Sequence, residues 1–326
     1  CAGPEVLVTW SVPCEESSVM RIGQLAVLCT LVVTVYTLYH LQWGHRVRYS
    51  KSHGWVDGTR DNSSCHNVLM FNRVPKTGSE MLVLLLQWLE GYNNYKHVRL
   101  KNTVARRLSP MDEDMLVKDV QKYQEMYPGM ALSFDRHFYF VEFSKYGSEM
   151  PCYINMIRDP VEKVISRFYY HHIGKSMDRI RYRTIEDCLR LSGSECTFRA
   201  GETYELTIPY FCGQHYECSV LNSRWALETA KINVEKYFTV VGVLEDLNST
   251  LQVLEHYIPA YFKGVQNMYY NELLEPFHNK NRKKPVVSEV SRRQLHENLT
   301  LEYEFYAFIR RRLRNQLENI GPSAPE

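Results

Sequence analysis

The sequence has almost no charge imbalance: 39 Lys and Arg stand against 37 Asp and Glu, a net charge of +2 over 326 residues. A chain without a basic surplus offers nucleic acid no global attraction, so no nucleic-acid partner is expected and any polyanion site must be local. No CxxC pattern or matching His pair is present, which leaves a zinc site without support, and no metal is expected. Internal repeats and low-complexity tracts are also missing. With 44% hydrophobic residues the chain can bury a substantial core, so disorder is excluded as the general state.

Long apolar runs are scarce too. Only one segment, from Ile22 to Leu41, is apolar and free of charge over the roughly 20 residues that a span requires. It is expected to be a transmembrane signal anchor, with residues 1–21 as a short tail and Met20 a candidate true start. Arg46, Arg48 and Lys51 follow the span, against the positive-inside tendency for a type II protein, but no clear small-residue cleavage site supports a signal peptide instead. Residues 42–66 are polar and read as a stem, 67–318 as the folded domain and 319–326 as a tail. Three glycosylation sequons, at Asn62, Asn248 and Asn298, lie beyond the span. So do six cysteines, of which Cys188 with Cys196 and Cys212 with Cys218 have spacings that suit small disulfide loops in an oxidising lumen. Cys65 and Cys152 have no assigned pairing. Together these features place the bulk of the chain in the secretory lumen.

The domain is expected to open with the strand Val68-Leu69-Met70-Phe71, a turn from Asn72 to Ser79 and a helix over Glu80–Glu90 with Leu82, Leu85, Leu86 and Leu89 on one face. A second strand–loop–helix unit runs from Cys152-Tyr153-Ile154-Asn155-Met156-Ile157 through Arg158-Asp159-Pro160 into Val161–Tyr170. A third apolar run, Phe238–Val243, precedes a helix with Leu247, Leu251 and Leu254. Alternating strands and helices predict an α/β fold with a central parallel sheet flanked by helices. The C-terminal stretch from Leu301 to Leu317 reads as a basic amphipathic helix.

A strand leading through Lys76-Thr77-Gly78-Ser79 into a helix is a phosphate site in physical terms, because backbone amides and a helix N-terminus converge on one anion while Lys76 supplies charge. The nucleoside-triphosphatase loop places its lysine after the second glycine of GxxxxGK[ST]; here Lys76 precedes Gly78, and no strand-end Asp for magnesium is evident.

These residues resemble a known family. Arg73-Val74-Pro75-Lys76-Thr77-Gly78-Ser79 is similar to the 5′-phosphosulfate loop of sulfotransferases, and Ile157-Arg158-Asp159-Pro160 with Ser166 to their 3′-phosphate site. Pro209–His215 and Glu302-Tyr303-Glu304-Phe305-Tyr306 resemble the uronyl and heparan-sulfate 2-O-sulfotransferases. Gly242–Asn248 and Tyr261–Val265 are most like the invertebrate Pipe branch.

The resemblance implies a P-loop-like sulfotransferase fold. It also implies the donor 3′-phosphoadenosine-5′-phosphosulfate (PAPS), an acidic polysaccharide or glycoprotein glycan as acceptor, and a type II Golgi membrane protein. Arg73, Lys76, Thr77, Gly78 and Ser79 would hold the 5′ group, Arg158 and Ser166 the 3′-phosphate, with Lys76 also neutralising charge on the departing oxygen. His137, in Phe134–Phe140, matches the second histidine of a His-x-His segment that precedes a strand, and would be the general base. Asp135 stands where the first histidine belongs, and Glu80 where the heparan-sulfate enzymes carry a hydroxyl, with a charge that opposes a nearby phosphosulfate. Arg73, Arg167, Arg179, Arg181 and Arg183 are candidates to grip acidic sugars, with solvated surface charge the alternative for the last four, and Lys283 of Arg282-Lys283-Lys284 is a candidate nucleotide contact. Oligomerisation through the C-terminal region is a family implication. Asp135 and Glu80 also motivate a second reading, a lumenal glycan-binding protein with this fold and no turnover.

Overall fold

The computed structural model describes residues 67–102, 105–170, 172, 180–193, 196, 198, 206–273 and 285–321. The expected span 22–41, the stem, and the candidates Asn62, Arg179 and Lys283 lie outside these residues. Among the described residues no helix is long and apolar enough to cross a membrane.

Five strands form one sheet: β1 Val68–Asn72, β2 Tyr95–Arg99, β3 Ala131–Arg136, β4 Cys152–Ile157 and β5 Phe238–Val243. Every pairing is parallel, and the order is β2-β3-β1-β4-β5. All residues of β1 and β4 are buried, as both faces of a parallel sheet are when helices cover them. The main helices are α1 Ser79–Asn93, α2 Pro110–Met126, α3 Pro160–Tyr170, α4 Arg224–Tyr237, α5 Leu247–Tyr257, α6 Glu289–Asn298 and α7 Thr300–Glu318. The expected face of α1 is buried through Leu82, Leu85, Leu86 and Leu89, joined by Val83. α2 starts at a capping box in which Ser109 accepts from the Asp112 amide while the Asp112 carboxylate accepts from the Ser109 amide, with Pro110 in the first turn.

The sheet edge at β5 is covered by α7. Arg312 donates to the carbonyl of Phe238 at 2.8 Å and Gln316 to that of Thr239 at 2.9 Å, so the outer carbonyls of β5 are not open to another strand. At the other end of β5 the backbone meets α5 closely. A Cβ on Gly242 would fall 2.2 Å from Thr250 Cγ2, and the Thr250 hydroxyl, fully buried, accepts from the Val243 amide at 2.9 Å.

β1 leads by α1 toward β2 on one side of the sheet, whereas β4 leads by α3 and α4 to β5 on the other. The crevice beyond the carboxyl ends of β1 and β4 is thus the topological switch point, where open α/β sheets receive their ligands. One expectation is corrected here. The segment Phe134–Phe140 does not precede a strand: Phe134, Asp135 and Arg136 end β3, and His137 is the first residue beyond it. This puts His137 at the same edge of the sheet as the loop that follows β1.

Cys188–Cys196 and Cys212–Cys218 are disulfide-bonded, with Cα separations of 6.1 and 5.6 Å. Cys152 is held in a disulfide as well. Asn248 is exposed at the start of α5, and Asn298 ends α6.

Candidate active site

The loop from Arg73 to Gly78 is shaped by two left-handed residues, Lys76 at φ 64° and Gly78 at φ 78°. Alternation of this kind turns successive amides to one side, and Gly78 is also the N-cap of α1, so the loop ends in a helix N-terminus directed at the same space. Thr77 ties the turn by donating to the Val74 carbonyl at 2.9 Å. A side chain at Gly78 would also collide with Leu244, 2.7 Å from its Cβ position, which binds the loop closely to the end of β5. Beneath it, Asn155 of β4 donates to the Asn72 carbonyl at 2.7 Å, and Asn72 donates to that of Tyr210 at 2.7 Å. The Lys76 ammonium lies 3.6 Å from the centroid of the Tyr170 ring at the end of α3.

Arg158 follows β4 across the crevice. Its guanidinium points at the Lys76 carbonyl, 3.5 Å away, and pairs with Glu162 at 3.3 Å and Glu245 at 3.7 Å. The turn that carries it is held from the far end of the chain. The Asp159 amide donates to both Glu245 oxygens, at 3.1 and 3.2 Å, and the Tyr306 hydroxyl donates to Glu245 at 3.0 Å. Burial, reinforced by Asp159 beside Tyr303 and Glu245 beside Tyr306, pushes both phenols well above their usual range, so they act as donors throughout the physiological range. Glu302, buried one residue earlier, accepts from the amides of Thr207 and Ile208 at 2.8 and 3.0 Å and fixes the start of Pro209–Cys212. Gln214 then donates to the Tyr139 carbonyl at 2.6 Å, which ties that segment to the chain just after His137.

His137 is half-buried, and its Nδ1 lies 2.8 Å from the Arg73 carbonyl. A carbonyl can only accept, so Nδ1 carries the proton and Nε2 carries the lone pair of the neutral ring. The tautomer of His137 is thereby set by the loop that follows β1.

The Arg73 side chain was expected to reach donor or acceptor. It is buried, and its terminal nitrogens go to Asp135, at 2.6 Å, and to Glu80. Arg99 pairs with the same two carboxylates, at 2.9 Å to Glu80 and 3.3 Å to Asp135, and His97 Nε2 donates to Asp135 at 3.1 Å. Burial would raise the Asp135 carboxyl, but the hydrogen bonds from His97 and Arg73 and the charges of Arg73 and Arg99 hold it below the usual range. Glu80 is likewise held low, because Arg99 and Arg73 outweigh its partial burial. Its charge is turned onto two arginines instead of opposing the loop unscreened. Neither His97 nor Arg99 carried a signal in the sequence, since both sit in β2 without a motif around them.

Ser166 is buried on α3. Arg181 is exposed, its guanidinium 5.3 Å from the Tyr182 ring.

Residues 63–309 match the model of the Sulfotransferase family. The chain is 32% identical over 272 residues to uronyl 2-sulfotransferase of Mus musculus, covering 78% of this chain and 64% of that protein. It is 33% identical over 282 residues to heparan sulfate 2-O-sulfotransferase 1 of Gallus gallus, covering 81% and 76%. The chain thus spans a little under two thirds of the length of the uronyl relative.

Proposed function

The chain belongs to the Sulfotransferase family, and we propose that it is a carbohydrate sulfotransferase that uses PAPS to sulfate the 2-O position of a uronic acid in an acidic glycan. The observation that carries this reading is the 2.8 Å contact of His137 Nδ1 with the Arg73 carbonyl, which joins a tautomer-fixed base to the first residue of an anion-binding loop. The residues present fit the donor. The loop offers amides, a helix N-terminus and the Lys76 charge at one end of the crevice, and Arg158 offers a guanidinium at the other.

PAPS, when bound, supplies the sulfuryl group and leaves as 3′,5′-ADP. Lys76, Thr77, Gly78 and Ser79 would hold its 5′ side, Arg158 and Ser166 its 3′-phosphate. Lys76 places positive charge where negative charge develops on the departing oxygen. His137 Nε2 takes the proton from the acceptor hydroxyl, whose own pKa is far too high for spontaneous ionisation near neutrality. Arg181 is exposed and suited to an acidic chain, Arg179 would join it there, and Lys283 would contact the nucleotide. Two disulfides favour an oxidising compartment and with it a Golgi-lumenal domain behind the anchor at 22–41. Oligomerisation through the C-terminal region belongs to this reading as well.

The test is sulfate incorporation from labelled PAPS into a panel of desulfated heparan, dermatan and chondroitin chains and glycoprotein glycans, followed by disaccharide analysis. Label on the 2-O position of a uronic acid is expected. Label confined to amino sugars would overturn the position, and no label on any acceptor would leave a glycan-binding protein.

A further inference from the structure

Three consecutive residues at the end of β3 hold Arg73, each by a different part. The Asp135 carboxylate takes its guanidinium at 2.6 Å, the Arg136 carbonyl accepts its backbone amide at 2.9 Å, and the His137 ring donates to its carbonyl at 2.8 Å. The amide bond merely continues the β1–β3 pairing. The side-chain grip is of another kind, because the Arg73 guanidinium is buried and its Nε has no hydrogen-bond partner among the described residues, so Asp135 and Glu80, one at each terminal nitrogen, are the partners that hold it there.

From this arrangement we infer that Asp135 and Glu80 act together as positioning residues for the base: by clamping the Arg73 side chain they fix its carbonyl, and that carbonyl fixes the His137 tautomer. The clamp is itself braced. Asp135 also accepts from His97 Nε2 at 3.1 Å and pairs with Arg99 Nε at 3.3 Å, His97 Nδ1 meets Ser133 at 3.1 Å, and Arg99 closes back onto Glu80 at 2.9 Å. Two carboxylates therefore face two guanidiniums and one imidazole across β2, β3, α1 and the loop after β1. With one carboxylate removed, two guanidiniums share the one that remains, and the buried Arg73 side chain, with a terminal nitrogen left unpaired, must move or draw in water. Either response displaces the backbone atom that His137 uses. The residues at 80 and 135 are thus a matched pair, one at each end of a single guanidinium, and neither substitutes for the base.

The inference rests on His137 being the base for its kinetic consequence, but not for its structural one. The experiment is ¹⁵N-histidine NMR of the full chain, on wild type, Asp135→Asn, Asp135→Glu and Glu80→Gln, with His137→Ala to assign the resonance. Turnover and 3′,5′-ADP affinity are measured alongside. Wild type should show His137 protonated at Nδ1. Asp135→Asn should show a mixture of tautomers and a tenfold to hundredfold loss of kcat, with affinity for 3′,5′-ADP within about twofold of wild type. Asp135→Glu should recover part of both. Glu80→Gln, at the exposed end of the clamp, should shift the same resonance to a smaller extent and lower kcat about threefold. If Asp135→Asn does not fold, Glu80→Gln decides. An unchanged His137 tautomer and unchanged kcat in every folded variant would overturn the inference. Full activity in His137→Ala would overturn the base assignment instead, and the tautomer result would still stand or fall by itself.

Discussion

The hydroxyl of Tyr303 donates to both carboxylate oxygens of Asp159, at 3.1 and 3.0 Å, across 144 residues of chain. With Tyr306 on Glu245, it makes the C-terminal helix the support of the turn that carries Arg158. Tyr303→Phe and Tyr306→Phe should each weaken 3′,5′-ADP binding by about fivefold, the order of one net hydrogen bond of ~1 kcal/mol, with little change in kcat at saturating donor. Calorimetry gives the first quantity and steady-state kinetics the second; a loss confined to kcat would contradict the role.

Lys76→Ala should lower both turnover and 3′,5′-ADP affinity, since it removes the charge aimed at the 5′ group. Arg158→Ala should cost more for a nucleotide bearing a 3′-phosphate than for one lacking it. Titration of both ligands against both variants distinguishes the two ends of the site. Equal losses for the two nucleotides in Arg158→Ala would remove the 3′-phosphate assignment.

His137→Ala should reduce turnover by roughly 10²–10⁴-fold, the ordinary range for a general base, while 3′,5′-ADP still binds. The wild-type rate should fall on acidification, because a protonated imidazole cannot take the hydroxyl proton, and this limb should vanish from the residual activity of the variant. A rate profile that keeps the limb would assign it to another group.

The carboxylates of Asp135 and Glu80 have folded-state pKa values below their unfolded ones, so they stabilise the fold above the unfolded carboxylate range and this contribution is lost as pH falls through the folded values. Thermal melting of the wild type should therefore drop below about pH 4. Asp135→Asn should start from a lower Tm at neutral pH and show a flatter acid limb. Parallel curves for the two proteins would show that Asp135 is not ionised and paired in the fold.

Peptide mapping without reduction should return Cys188 with Cys196 and Cys212 with Cys218. Each short loop stabilises by about 2–3 kcal/mol in the chain-entropy model, so reduction should lower Tm in steps or abolish folding. Recovery of either pair as free thiols from secreted protein would contradict the assignment.

The strands that hold an uninterrupted run of at least three apolar residues could be read directly: β1, β4 and β5 are largely buried, and their runs announce it. β2 and β3 could not, because polar residues break every such run, His97 in one and Ser133 and Asp135 in the other being buried in the core. Those residues satisfy one another across the strands, a compensation that is three-dimensional and leaves no period in the chain. The loop after β1 was legible because its amides, glycine and lysine are contiguous. The Arg73 clamp was not, since its partners are 7 and 62 residues away and an arginine beside a phosphate loop invites a ligand reading. Likewise Glu302, Tyr303 and Tyr306 form a recognisable string in sequence, yet only the fold shows them bonded to three separate turns.

The Thr250 hydroxyl, enclosed at the junction of β5 and α5, is also the third residue of the sequon at Asn248. An enzyme that must contact that hydroxyl can do so only while the junction is still open, so glycan addition at Asn248 would have to precede the closing of the sheet. Thr300, the corresponding residue for Asn298, is exposed and imposes no such deadline. Occupancy of the two sites should therefore diverge as the chain is made to fold faster or slower, with Asn248 recording the pace.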